Sequence, residues 1–469
     1  MKSIPNRHAG YMVMLVVVFT SVFVTLMFGL TGFVMIQKKA TVQKEYAEQS
    51  LQIAEAGLDY YQWYLAHNPD DLTDGTGEEG PYAHTYTDPE SALTGTFSLD
   101  VSGNMECGSV SSISIRSTGY TDAAPGVERV VYGRYARPSV AEYAYIINDN
   151  VWAGNDRVIV GRYHANGGIR MDGTNQSLVT SGVATWQCTS SFGCSPTQTK
   201  PGVFGSGSGS SLWQYPAETV DFVGLNLNLA TVKTKAQNGG GLYFPERWGS
   251  STTLGYHVIF NANETMTVYR VSGTTSINSY TEDDGWESRP EQVRTQSLIG
   301  TYAIPSACGL VFFENNLWVE GTVSGKVTVV AANTVRANVD ADAYIVNNIN
   351  YAHTDGSDGL TLVAENNALI PYNVPFNMDI RGVIIAQNGR FGRNHYDSGS
   401  QDTRGTLTVN GSIVSNKRVG TKWTSGSTFI SGFAQRYDSY DRKLATEPPP
   451  LTPNFDDEYK FVEWREMEQ

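Results

Sequence analysis

Charge is missing from one long stretch near the start of this 469-residue chain: Tyr11 to Ile36 contains no Asp, Glu, Lys or Arg. No proline interrupts that run or the segment after it as far as Leu58. A removable secretory signal has an apolar core of about 7–15 residues and an Ala-x-Ala-like site after it. This run has 26 residues and no such site directly follows, so a removable signal is a poor fit. Catalytic signatures are missing too. There is no Gly-x-Ser-x-Gly, no His-Glu-x-x-His and no phosphate loop, and the seven histidines are scattered. Cysteine is scarce, and Cys-x2-Cys is absent, which leaves zinc without a ligand set. No Lys/Arg cluster interleaves with aromatics, and the net charge of −14 argues against nucleic acid as a partner. No cofactor, metal or catalytic residue is predicted.

At 1.5 Å rise per residue, an apolar helix over 11–36 spans about 39 Å, enough to cross a hydrocarbon core of about 30 Å with some tilt. Lys2 and Arg7 precede it and favour a cytoplasmic N-terminus, although Lys38, Lys39 and Lys44 on the far side weaken that bias. The long acidic remainder then lies outside the cytoplasm. Past Lys39, Ala47, Leu51, Ala54, Leu58, Tyr61 and Leu65 recur at four- and three-residue spacing, which is a helical stripe. One continuous helix to about residue 65 is therefore predicted, its outer half packed on this protein's own globular part, on neighbouring helices, or on both.

The basic leader Met1–Ala9 ending in Gly10, the apolar helix beginning at Tyr11, and Ala54-Glu55-Ala56-Gly57-Leu58 resemble the N-terminal region of type IV pilin-like proteins, most closely PilX-type minor pilins. The resemblance covers roughly the first 65 residues. It implies cleavage after Gly10 by a prepilin peptidase, methylation at Tyr11, and packing of the helix with other pilins after residence in the inner membrane. Major pilins of the family carry Glu at the fifth mature position, which here is Leu15, and Phe is typical where this chain has Tyr11. An intramembrane carboxylate is expensive unless paired, and in the family it meets a neighbour's free amine. Leu15 therefore points away from a shaft role and toward a tip or assembly-priming role.

The remaining 400 or so residues exceed what one core usually serves. The sequence divides into a leader (1–10), a hydrophobic and amphipathic helix (11–65), a small β head (66–140), a β-rich domain (141–440) with an insertion at 190–300, and a Pro-rich tail (441–469). Within the head, 65–90 reads as a loop. Runs such as Val327-Thr328-Val329-Val330, Leu360-Thr361-Leu362-Val363 and Val383-Ile384-Ile385, each closed by Asn, Gly or Asp, suit a right-handed parallel β-helix in which Asn can stack in ladders; a β-sandwich of similar strand density is the alternative. Of the four cysteines, Cys188 and Cys194 bracket a short Ser/Gly-rich loop and are paired with each other, which leaves Cys107 with Cys308. The polar loops of 190–300 are candidates for binding.

β-Helical folds include enzymes acting on acidic polysaccharides, which need clustered carboxylates or a metal across adjacent rungs. Asp379, Arg381, Arg390, Arg393, His395 and Asp397 are the nearest such group, with solvated turn charges as the plainer reading. His353-Thr354-Asp355-Gly356-Ser357-Asp358-Gly359 is a turn with at most weak calcium affinity, since it lacks the closing Glu of an EF-hand. Two functions follow. The first is a structural minor pilin with surface adhesion; the alternative is a membrane-anchored β-helix enzyme or binding protein acting on polysaccharide.

Overall fold

The computed structural model describes residues 8–90, 93–247, 253–336, 338–397 and 399–467. The leader residues 1–7 lie outside them. A single helix, His8–His67, opens the chain, and the rest is mainly β. The chain divides into two compact units, one formed by 1–103, 112–135 and 459–469, the other by 104–111 and 136–458.

In the first unit the helix packs on a five-stranded sheet in the order Tyr82–Thr87, Thr94–Glu106, Ser109–Thr121, Arg129–Ala136, Lys460–Met467. The fifth strand comes from the far end of the chain, inside the Pro-rich tail, where Phe461-Val462-Glu463-Trp464-Arg465 reads as a last strand. It has only weak alternation, and what places it is long-range: Arg129 and Arg134 pair with Glu466 and Glu463, and Phe461 meets Tyr135 edge-on at 5.1 Å. Tyr82–Thr87 falls in the segment read as a loop. It pairs antiparallel with the next strand, Tyr82 opposite Leu99.

The second unit is built by parallel pairing of short strands. One column of paired residues runs Leu242, Val311, Val329, Leu362, Ile384, Ile413, Tyr145, Tyr163, Val179, Trp213. Most of its members are fully buried in the main core. The alternate residues Val330, Val363, Ile385, Val414 and Ile146 form a second buried column beneath short helices that include Leu229–Asn238. Burial on both faces explains why these strands read as continuous apolar runs rather than alternating ones. The column does not follow chain order. Thr403–Ser415 stacks directly on Tyr143–Ile147, so the late strands precede the early ones.

Corners are set by small and amide residues. Gly382 and Gly411 are paired, both at positive φ, and a Cβ on Gly411 would lie 1.9 Å from the Gly382 carbonyl, so only glycine fits. At another corner Asn166 Nδ2 donates to Asn148 Oδ1, Asn148 Nδ2 to Asn416 Oδ1, and Asn416 Nδ2 to the Asn388 carbonyl, a ladder that satisfies side-chain amides rung by rung. Inside, Arg157 Nε donates to Asp438 Oδ2 at 2.5 Å, and Tyr145 Oη donates to the other oxygen at 2.8 Å.

The segment 190–300 is not wholly an insertion. Val203–Phe204, Trp213–Gln214, Leu242–Phe244 and Gly255–Asn261 pair in parallel with the rest of the unit, and the hairpin Thr265–Thr281 with Gly285–Ala303 is an antiparallel addition. That hairpin is held by Glu291. Its buried carboxylate accepts from Asn394 Nδ2, Tyr396 Oη and the Tyr372 amide. Burial pushes its pKa up, opposed by the Tyr396 and Tyr372 bonds and by the charges of Arg393 and Arg289.

His164, buried in the continuation of the second column, supplies a pH response. Nδ1 lies 2.8 Å from Thr180 Oγ1 and Nε2 2.9 Å from Asn166 Oδ1. Burial lowers its pKa, opposed by the Asn166 bond. A histidine depressed on folding contributes fully above its unfolded value of about 6.5, and that stability is lost as pH falls below it. Denaturant midpoints at mildly acidic and neutral pH should therefore differ less in His164→Gln than in the parent chain; an equal difference in both would contradict this.

Candidate functional site

Two regions carry the candidate residues. The first is the helix. From Tyr11 to Ile36 its side chains are exposed: Tyr11 70%, Phe28 75% and Ile36 70%. This stretch is long and apolar enough to cross a membrane. Gly10 and Tyr11 lie in the first turns of the helix, and a Cβ on Gly10 would touch nothing within 4 Å. Leu15 also points outward.

The outer half of the same helix docks on its sheet through backbone-close contacts. Ser50, Ile53, Ala54, Gly57, Leu58, Tyr61, Tyr64 and Leu65 are buried, while Leu51, Glu55 and Ala56 are only half-buried. A Cβ on Gly57 would lie 2.4 Å from Ser117 Oγ, and one on Gly119 would lie 2.4 Å from the Ala54 nitrogen and 2.5 Å from the Ser50 carbonyl. The Ala54–Leu58 motif is thus where helix and sheet approach most closely. Ser50 Oγ donates to the Val127 carbonyl and Tyr135 Oη to that of Leu58. Gly57 stands in the quoted motif but outside the apolar stripe, and Ser50 was missed, since an apolar pattern skips the small residues that a tight seam needs.

The second region is a cleft of about 540 Å³ in the second unit. One wall is the five-residue loop Thr189–Gly193, closed by the Cys188–Cys194 disulfide; the other disulfide, Cys107–Cys308, lies elsewhere in that unit. A second wall is the turn at Thr281, Glu282 and Asp283 on the antiparallel hairpin, and a third runs from Arg418 to Gly426. Trp423 faces this space with its indole nitrogen fixed on the Arg393 carbonyl at 2.8 Å. Beside it, the His395 and Tyr280 rings lie 5.7 and 5.8 Å away, and Trp286 is 5.4 Å beyond His395.

The six residues from 379 to 397 do not form one group. Asp379 and Asp397 are exposed, and Arg381 lines a separate small hollow near His353 and Asp358. Arg390 and Arg393 are buried, not solvated: Arg393 donates to the Tyr372 carbonyl and to those of Pro371 and Gln401, and Arg390 lines the cleft. Unpaired carbonyls at irregular corners take the guanidinium in place of water. Asp358, within the turn read as weakly cation-binding, instead accepts from the Gly325 and His353 amides. Among the described residues no group of three metal-ligating side chains is present. Only Cys188, Cys194 and the polar loops pointed to the cleft in advance; Asp149, Arg418 and Trp423 carried no local signal.

No protein-family model and no curated protein matches the chain. Among solved structures, the competence-associated pilin ComZ from Thermus thermophilus aligns over 90% of this chain and 98% of its own, at 12% identity and a TM-score of 0.31. Agreement at that level carries no argument about fold or function.

Proposed function

We propose that this chain is a pilin-like structural subunit of the PilX-type minor pilin kind, cleaved after Gly10, methylated at Tyr11 and without catalytic activity. The observation that supports this most is the division of one helix. Its first half is uncharged and exposed, and its second half is committed to its own sheet through Ala54, Gly57 and Leu58. An apolar surface of that length needs hydrocarbon around it. In this reading the inner membrane supplies it first, and the helices of other pilins supply it after assembly into a type IV pilus or related filament. Leu15 leaves no carboxylate for a neighbour's amine, which suits a tip or assembly-priming position.

The second unit would then stand outside the cell as a head able to contact surfaces. We read it as a right-handed parallel β-helix. The unbroken parallel column from Leu242 to Trp213 and the Asn ladder support that choice over a sandwich, whose sheets are antiparallel.

The test is fractionation of the native host. The full chain should sediment with membranes and appear in sheared filaments, and a variant lacking 11–36 should be soluble. A wild-type chain found soluble would overturn the reading.

A further inference from the structure

We propose that the cleft between the Cys188–Cys194 loop, the Thr281–Asp283 turn and the Arg418–Gly426 stretch binds a neutral oligosaccharide. Three features of its lining converge on that class. The charged side chains balance: Asp149, Glu282 and Asp283 against Arg390, Arg418 and Lys422. A polyanion would meet three carboxylates and a polycation three cations, whereas an uncharged polyol can accept from one set and donate to the other.

Among the described residues no direct ion pair joins these carboxylates to these cations, although Glu282, Asp149 and Asp283 are near enough to act on Arg418. Among the described residues neither Arg390 nor Arg418 forms an ion pair, and Lys422 turns to Asp156 at 3.1 Å. Arg418 donates to the Ser191 carbonyl at 2.8 Å and lies over the Phe192 ring at 4.1 Å, so it braces the disulfide loop while bordering the cleft. Donors and acceptors that are held apart on a fixed frame leave hydrogen-bonding capacity for a ligand.

The third feature is an aromatic cluster at the cleft, in which Trp423 is tilted 31° from His395 and stands edge-on to Tyr280 at 77°. Trp423 lies in the cleft, and His395, Tyr280 and Trp286 continue from it, with Trp286 46% exposed. A pyranose ring has one face of C–H groups that covers an aromatic face while its hydroxyls reach sideways to polar groups. Trp152 is less suited, because Arg170 already covers its ring at 4.2 Å. The disulfide limits movement of one wall, which lowers the ordering cost of binding.

The cleft lies wholly in the second unit, so its ligand and the processing of the N-terminus can fail separately. The experiment is a tryptophan-fluorescence titration of the full chain in a detergent without a sugar headgroup. The probes are cellohexaose, chitohexaose, maltohexaose and, as the charged comparison, hexagalacturonate. At least one neutral hexasaccharide should bind. Trp423→Ala should weaken it about tenfold or more, as expected for loss of a stacking ring and its buried area. Asp283 is exposed, so Asp283→Ala leaves the fold intact and should weaken binding several-fold. Trp464→Ala, which removes an exposed ring in the other unit, should change nothing. The proposal is overturned if no neutral probe binds at millimolar concentration, if hexagalacturonate binds in preference, or if binding survives Asp283→Ala unchanged.

Discussion

Gly119→Val should detach the small sheet from its helix, with a loss of about 3 kcal/mol or more. The added Cβ would stand 2.4 Å from the Ala54 nitrogen, 2.5 Å from the Ser50 carbonyl and 2.8 Å from the Ala54 Cα. All three are helix backbone, so no side chain can swing aside. The sheet has to retreat, and the contacts of Ile53, Ala54, Leu58 and Tyr61 loosen together. Gly57→Ala is expected to be milder. Its closest clash is with the Ser117 hydroxyl, which has no hydrogen-bond partner among the described residues and can rotate, and the helix gains about 1 kcal/mol of propensity. Gly126→Ala meets nothing within 4 Å and should lie within about 0.5 kcal/mol of the parent. Denaturant midpoints and protease resistance of the full chain order the three. An unchanged Gly119→Val would mean that the seam does not hold the helix.

The second large effect is expected at Gly10. In the native host, Gly10→Val should leave the precursor uncut, with the unprocessed chain accumulating in the membrane and none entering filaments. A Cβ at this position contacts nothing, so the folded protein tolerates the change and a processing defect cannot be ascribed to misfolding. The bond after Gly10 lies in the first turns of the helix, where leading amides lack intrahelical partners and the backbone opens at low cost. A branched side chain there would obstruct a peptidase that grips the backbone closely. Normal maturation of this variant would contradict the proposed cleavage site.

Local pattern carried the sequence reading well where one element explains itself. An uncharged run and a four-three stripe are enough for a continuous helix, and Ala54, Leu58, Tyr61 and Leu65 are on its buried face. Short β-type runs closed by Asn or Gly are enough for a mainly-β remainder. What stayed hidden is pairing at a distance. Nothing near Thr403–Ser415 indicates that it stacks on Tyr143–Ile147, nor does Lys460–Met467 announce its place in a sheet begun some 370 residues earlier. The same reason hid the cleft. Asp149, Asp283, and Arg418 with Trp423 come from three segments that only the parallel stacking and the hairpin bring together. Arg393 was misread as solvated because its partners are backbone carbonyls, which every residue carries and no sequence pattern marks, and Arg390 because it turns inward to the Asn394 side chain.

The whole account depends on the apolar first half of the helix remaining part of the mature molecule. The most direct measurement is mass spectrometry of the N-terminal peptide of the protein isolated from its native host, taken from the membrane and filament fractions. A methylated N-terminus at Tyr11, followed by the intact run to Ile36, is the predicted result. A mature chain that starts beyond Ile36, or one that still begins at Met1, would contradict it.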